Sequence, residues 1–416
     1  MSDHPIAALH SQQRRDTVER DASKIALMFM LPKNEKRVHT QKRLTHDQFQ
    51  IRCVRGAGTR RLRRAAQSMK LVIFLLAGAC LSSCTSKTTL PIVDEQGHGI
   101  AGSVATLEQI NLGGVSQWIL IRGNSVEKPL LLKLHGGPGQ AEMATVRFNR
   151  LLEKDFIVVE WDQRGAGKSA QAIDPARAMN IAQLVEDTHD LTELLLKRFH
   201  QKNLILVGSS WGSVIGIETV KRYPALYRAF VSTGQIANFT DGMNVGYRFL
   251  MAEARKRNDM KALAELTKIG PPPYAGDDGD AKRETYGKWL EGFGGLWHSS
   301  EKFDRVGWMT SSVEYAWPEK LHYTSAAKKS FDLLLPQLTA VDLNSTVTRV
   351  EVPIYFAVGR YDHMAPFEVS QAYFSRLAAP KKEWVWFEGS AHFPQWEEME
   401  KFHDLLANRV VPETQP

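Results

Sequence analysis

The stretch Gly208-Ser209-Ser210-Trp211-Gly212 sets one hydroxyl midway between two glycines. It follows the apolar run Asn203-Leu-Ile-Leu-Val207 and precedes a helical-looking stretch from Ser213 to Tyr223. In a strand, sharp turn and helix, a G-x-S-x-G pattern presents its serine at the top of a sheet. The turn admits only small residues at 208 and 212. A serine hydroxyl is a weak nucleophile until a base takes its proton, so an acid and a histidine should follow in the chain. Gly359-Arg-Tyr-Asp362 ends one apolar run in a turn, and Gly389-Ser-Ala-His392 ends the last one. Ser210, Asp362 and His392 are therefore the candidate nucleophile, acid and base. His363 and His403 are rival bases. Asp332 and Asp342 are rival acids that end no strand.

Acyl transfer also needs donors aimed at a developing oxyanion. His135-Gly-Gly-Pro-Gly139 follows an apolar run, and glycine there lets the backbone approach a ligand closely. The backbone amides of Gly137 and Trp211 are the expected oxyanion hole. His135 is expected to orient that loop rather than to titrate. In Trp161-Asp-Gln-Arg-Gly-Ala-Gly-Lys-Ser169, Asp162 and Arg164 are expected to brace the loops beneath the site.

These groups need elements to hold them. Strands are predicted at Ser103–Ile110, Gln117–Arg122, Leu130–Leu134, Phe156–Glu160, Leu204–Val207, Ala229–Ser232, Ile354–Val358 and Glu383–Phe387. Helical stretches separate most of them. Asn180–His200 is the clearest, with Leu184, Val185, Thr188, Leu191 and Leu195 at helical spacing. Strands alternating with helices predict an α/β fold with a mostly parallel sheet covered on both faces. The two leading strands have no helix between them and predict an antiparallel edge.

The alternation stops over 238–349, where the pattern is helical (Val245–Lys256, Met260–Leu266) up to a Pro271-Pro-Pro273 stop. A helical cap inserted there would cover the C-terminal ends of the strands, where open α/β sheets bind ligands. The core is then 101–237 and 350–416. Trp289, Trp297, Trp308 and Trp317 of the cap are expected to be core more than ligand platform. Glu142, Asp277, Asp278 and Asp280 are expected to form a solvated face.

Taken together, HGGPG, WDQRGAGKS, GSSWGS, GRYD and GSAH resemble the proline iminopeptidase branch of the α/β-hydrolases, the S33-type serine peptidases, over roughly residues 103–410. The resemblance implies an α/β-hydrolase fold with a helical cap. Its nucleophile, acid and base fall on Ser210, Asp362 and His392. It implies acyl transfer without a metal or organic cofactor, most simply an aminopeptidase releasing the first residue of small peptides. An esterase, lactonase or amidase on small substrates is the alternative. A non-catalytic ligand-binding protein on the same scaffold is a third reading, which the full constellation opposes. Epoxide hydrolases and haloalkane dehalogenases carry aspartate where Ser210 stands. In iminopeptidases, cap glutamates hold the substrate's free amino group; the resemblance assigns no particular acidic residue of this cap to that role. After HGGPG, this chain reads Gln140-Ala-Glu-Met143, where that branch carries more glycine and serine.

The net charge of +7 is unevenly spread. The first 68 residues hold 15 Lys and Arg against 6 Asp and Glu, and the remaining residues hold 38 against 40. The body thus offers no electrostatic case for nucleic-acid binding. Met69 opens a secretory-type segment: a lysine, an apolar stretch from Leu71 to Leu81, then Leu81-Ser82-Ser83-Cys84. This resembles a bacterial lipobox, whose cysteine is lipidated and becomes N-terminal. The reading is a leader over 69–84 with Cys84 as lipid anchor, a linker over 85–100, and a cell-envelope lipoprotein, in a double-membraned host at the outer membrane facing the periplasm. Residues 1–68 are then upstream sequence; a translated basic extension is the competing view. The three cysteines are Cys53, Cys80 and Cys84. The body therefore has no disulfide, thiol nucleophile or cysteine metal site.

Overall fold

The computed structural model describes residues 87–173, 179–301 and 303–414. The basic extension, the leader and Cys84 lie outside the described residues.

Eight strands form one sheet in the order β1-β2-β4-β3-β5-β6-β7-β8. They are β1 Val104–Leu112, β2 Val115–Gly123, β3 Leu130–Leu134, β4 Ile157–Asp162, β5 Leu204–Ser209, β6 Tyr227–Thr233, β7 Ile354–Gly359 and β8 Lys382–Phe387. β1 and β2 pair antiparallel through the tight Leu112–Val115 turn, and β2 meets β4 antiparallel. From β4 through β8 every pairing is parallel. This is the α/β-hydrolase fold.

Successive strand residues face opposite sides, and the central strands are apolar on both. Leu130, Leu132 and Leu134 join one buried cluster while Leu131 joins the other. Leu204 and Leu206 alternate in the same way with Ile205 and Val207. The first cluster is closed by helices α1 (Ile181–Arg198), α2 (Trp211–Arg222) and the helix Phe367–Arg376. The second is closed by Leu152 and by Phe402, Leu405, Leu406 and Val410 near the C-terminus. Asn180 caps α1, its side chain accepting the Gln183 amide at 2.8 Å. Leu184, Thr188, Leu191 and Leu195 form the buried stripe of that helix.

Between β6 and β7 run five longer helices: α3 Phe239–Lys256, α4 Met260–Ile269, α5 Gly279–Gly292, α6 Arg305–Ser311 and α7 Trp317–Thr339. Leu250, Ala254, Ala262, Leu266, Tyr286 and Leu290 give α3, α4 and α5 a buried core of their own. Trp297 and Trp308 are buried in an aromatic cluster with Phe148, Phe393 and Trp396. Trp289 is half-buried against Phe293, whereas Trp317 is 65% exposed and packs in no core.

The last of these helices, α7, fastens the loops that follow β3 and β4. The Ser330 hydroxyl donates to the Gly165 carbonyl at 2.7 Å, and the Tyr323 hydroxyl donates to the Ala141 carbonyl at 2.8 Å. Lys168 reaches Glu319 at 2.8 Å. Gly139 takes φ +81°, and a Cβ there would stand 2.7 Å from the Ser330 Cβ. A side chain at 139 would therefore push the loop off the helix.

Arg164 braces the loop after β4 from below, as expected. Its Nε and Nη2 each lie 2.9 Å from an Asp187 carboxylate oxygen, and both side chains are almost fully buried. Gln117 donates to the same carboxylate at 2.9 Å. Removing one partner of such a pair strands a buried charge. Asp187→Ala should cost about 3–5 kcal/mol in denaturant unfolding. A loss below about 1 kcal/mol would show that the pair does not hold the loop.

Candidate active site

Ser210 stands between β5 and α2 with φ 52° and ψ −117°. Few L-residues occupy such a backbone. The turn is held by the Ser210 amide, which donates to the Thr233 carbonyl at 2.8 Å. It is also forced from the other side. A Cβ on Gly212 would lie 2.1 Å from the Leu134 carbonyl oxygen, so α2 approaches β3 as closely as only glycine allows. The Ser210 side chain thus emerges above the C-terminal ends of β3 and β5.

His392 follows β8, and Asp362 follows β7. The His392 Nδ1 lies 2.9 Å from Asp362 Oδ2. Asp362 Oδ1 accepts the Met364 and Ala365 amides, each at 2.9 Å, which fixes the carboxylate's orientation. Both residues are buried. With Nδ1 donating to the carboxylate, Nε2 is left as the basic nitrogen. Ser210 and His392 line one cavity of about 320 Å³ beneath the cap. Their hydroxyl and imidazole share no hydrogen bond among the described residues. Such contacts often close only when substrate binds.

The rival residues go elsewhere. His403 pairs with Asp155 at 2.9 Å, and His363 stacks on Phe249 with centroids 3.6 Å apart. Asp342 caps a short helix, accepting the Asn344 amide, and Asp332 pairs with Lys328 on the surface.

Gly136 and Gly137 line the same cavity. Among the described residues, neither the Gly137 nor the Trp211 amide has a protein acceptor. His135 braces this loop: Nδ1 lies 2.8 Å from the Gly136 carbonyl, and Nε2 accepts the Gln163 amide at 3.1 Å. That pattern assigns the proton to Nδ1. Burial lowers the His135 pKa to about 4, with Arg305 pushing the same way, so the ring is neutral at ordinary pH.

Glu142 departs from expectation. It is buried, not part of a solvated face. The polypeptide turns back after Gly139 so that Glu142 Oε1 accepts the Gly136 amide, at a long 3.4 Å, behind the His135–Gly139 loop. Burial pushes its carboxyl up to about 7 although Lys133 pulls the other way. Asp277, Asp278 and Asp280 are exposed, as expected. Asp162 is fully buried. It accepts the Lys168 amide at 2.7 Å and the Tyr315 hydroxyl at 2.8 Å, and burial raises it too to about 7.

The cavity walls are largely apolar: Phe239, Met243, Leu296, Phe303, Phe331 and Phe393. Two cations, Arg283 and Arg305, are in the lining, and among the described residues no carboxylate is. None of the four cap tryptophans lines it. Sequence reasoning missed both arginines. Neither stands in a motif, and only the path of the cap chain brings them over Ser210. A larger cavity of about 470 Å³ opens at the other end of the sheet, beside Leu130 and Leu204 at the strand N-termini. That is opposite to where open α/β sheets bind ligands.

Residues 126–265 match the family model of serine aminopeptidases, S33. The chain is 31% identical over 313 residues to the "Probable aminopeptidase YbaC" of Bacillus subtilis, covering 74% of this chain and 97% of that protein. A proline iminopeptidase of Thermoplasma volcanium is 21% identical over 281 residues, covering 67% of this chain and 88% of that one. Among solved structures, the proline iminopeptidase of Mycobacterium smegmatis superposes with a TM-score of 0.53 at 18% identity, covering 74% of this chain and 99% of that chain. A bacterial membrane phospholipase A gives 0.51 at 16% identity over 85% of this chain and 99% of its own. These two structural likenesses speak to the fold. The chain belongs to the S33-like serine aminopeptidase family of α/β-hydrolases, and it is a hydrolase.

The two raised carboxyls make a pH prediction. Glu142 and Asp162 hold a proton more tightly folded than unfolded, where such groups ionise near ~4. Their contribution is fully present below that pH and is lost as pH climbs through about 7. Glu142→Gln mimics the protonated form. It should exceed wild type in unfolding free energy by up to about 3 kcal/mol at about pH 8.5, and the gap should close near about pH 4. A gap independent of pH would contradict the burial argument.

Proposed function

We propose that this chain is a serine hydrolase working by acyl transfer through Ser210, His392 and Asp362. The observation that carries the reading is the buried 2.9 Å Asp362–His392 pair at the cavity into which the strained turn holds Ser210. In this mechanism, His392 Nε2 takes the Ser210 proton as Oγ bonds to the substrate's carbonyl carbon. Asp362 keeps the imidazole in the correct tautomer and balances its charge. The tetrahedral oxyanion is held by the Gly137 and Trp211 amides. Collapse breaks the bond to the leaving group, which takes the proton from His392. Water then loses a proton to the same nitrogen, attacks the acyl-enzyme, and releases a carboxylic acid and free Ser210.

On the substrate, the names of the relatives support an aminopeptidase of proline iminopeptidase type acting on small peptides. The lining supports the second reading, a small-acyl esterase, lactonase or amidase. A substrate ammonium needs an anionic partner, and the carboxylate nearest the oxyanion loop, Glu142, lies behind that loop and is not in the lining. N-acetylation separates the two. An aminopeptidase should lose turnover when the amine is blocked, whereas equal rates on free and acetylated substrates point to the second reading.

We also propose, on the sequence alone, that Cys84 carries the lipid anchor of an envelope lipoprotein. Cys84→Ala should then release the native enzyme from the membrane fraction or leave its precursor uncleaved. A wild-type protein found wholly in the cytoplasm would reject the anchor.

The mechanism is tested by substitution and labelling. Ser210→Ala, His392→Ala and Asp362→Asn should each lower kcat by about 10³-fold or more, and the double variants should be little worse than the singles. A fluorophosphonate should label wild type at Ser210 and leave Ser210→Ala unlabelled. Turnover undiminished in Ser210→Ala would overturn the proposal.

A further inference from the structure

The charge of the cavity lining is opposite to what a free amine requires, and the two arginines that supply it differ. Arg283 is already engaged, donating to the Asp280 carboxylate and to the Tyr274 carbonyl. Arg305 is not. It opens α6 with its guanidinium half-buried over aromatic faces, 5.7 Å from the Phe303 and Phe393 centroids and 5.8 Å from that of Trp396. Its Nη1 donates to the Gln140 side-chain oxygen at 2.7 Å, and its other polar neighbour is the Tyr323 hydroxyl. Both partners are neutral. No carboxylate among the described residues lies within ion-pair distance of it. Gln140, which follows the HGGPG loop, also lines the cavity, so the cation is tethered beside the oxyanion loop.

A guanidinium among apolar walls, with donors to spare and no carboxylate in ion-pair contact among the described residues, is a site for an anion, though its charge also reaches the buried Glu142 carboxyl. Its planar fork matches a carboxylate in two parallel bonds. Its charge is felt locally, since it helps to depress the buried His135. We propose that Arg305 is a specificity residue that binds a carboxylate of the substrate. The enzyme is thereby directed to small apolar acyl compounds carrying an acid group, or to short peptides through their free C-terminus. This rests on acyl transfer at Ser210 within the same cavity.

The test compares acid and capped twins on one protein. One pair is para-nitrophenyl hydrogen suberate and para-nitrophenyl methyl suberate. The other is a prolyl dipeptide with free and with amidated C-terminus. Wild type should favour the acid in at least one pair by about 10- to 100-fold in kcat/KM, the range that a charged hydrogen-bonded pair commands. Arg305→Gln should bring that ratio to within about 3-fold of unity, and Arg305→Lys should keep part of it. The ratio is internal to each preparation, so partial misfolding of a variant cancels. Wild type without acid preference in both pairs, or Arg305→Gln with the wild-type ratio, overturns the proposal. Failure of the underlying mechanism reads differently, because para-nitrophenyl methyl suberate would then be turned over as fast by Ser210→Ala.

Discussion

The closeness of α2 to β3 is the constraint on which the rest of the site depends. The helix start meets the Leu134 carbonyl so nearly that a methyl group at Gly212 has no room. A chain leaving β5 can enter that helix only through a sharp turn, and Ser210 absorbs the turn at φ 52°. Such a conformation costs on the order of 1–3 kcal/mol and survives where its surroundings over-determine it. Here β6 does so through the Ser210–Thr233 hydrogen bond, and the buried residues of α2 do so from below. The same approach sets His135, the residue after Leu134, beside the elbow. The loop that starts at His135 and the serine are therefore positioned by one packing contact, not by two separate ones.

Charge and polarity around this contact are arranged in buried pairs. Asp187 answers Arg164, Asp162 takes Tyr315 and the Lys168 amide, and Asp362 takes His392 and two amides. Each holds a loop that follows a strand's C-terminal end. The cap shares the task, since α7 supplies Tyr323, Ser330 and Glu319 to the loops beneath it. Removing the cap would thus loosen the floor of the site as well as its roof.

Most of this was legible in the sequence where local chemistry decides local structure. The apolar run fixes Leu130–Leu134 to its observed bounds, and periodicity with the Asn180 cap fixes α1 to within two residues at each end, because both are local signals. Strand ends near the site ran longer than expected, as at Leu204–Ser209, because pairing with a neighbour extends a strand past its apolar run. His135, Asp162 and Arg164 turned out to brace loops, as their motifs suggested. What was not legible depends on contacts that no local pattern announces. Glu142 looked like surface because nothing adjacent to it announces Lys133, Glu160 and Gly136 as its surroundings. Arg305 lies 165 residues from its partner Gln140, so no local pattern could join them.

The central claim, acyl transfer through Ser210, is tested most directly by trapping its intermediate. The protein would be mixed rapidly with a para-nitrophenyl acyl ester, quenched in acid and measured by intact and peptide mass. The account predicts a burst of para-nitrophenolate equal to the enzyme present, with an acyl adduct on the peptide holding Ser210. An adduct on another residue, or turnover of the same ester undiminished in Ser210→Ala, would contradict it.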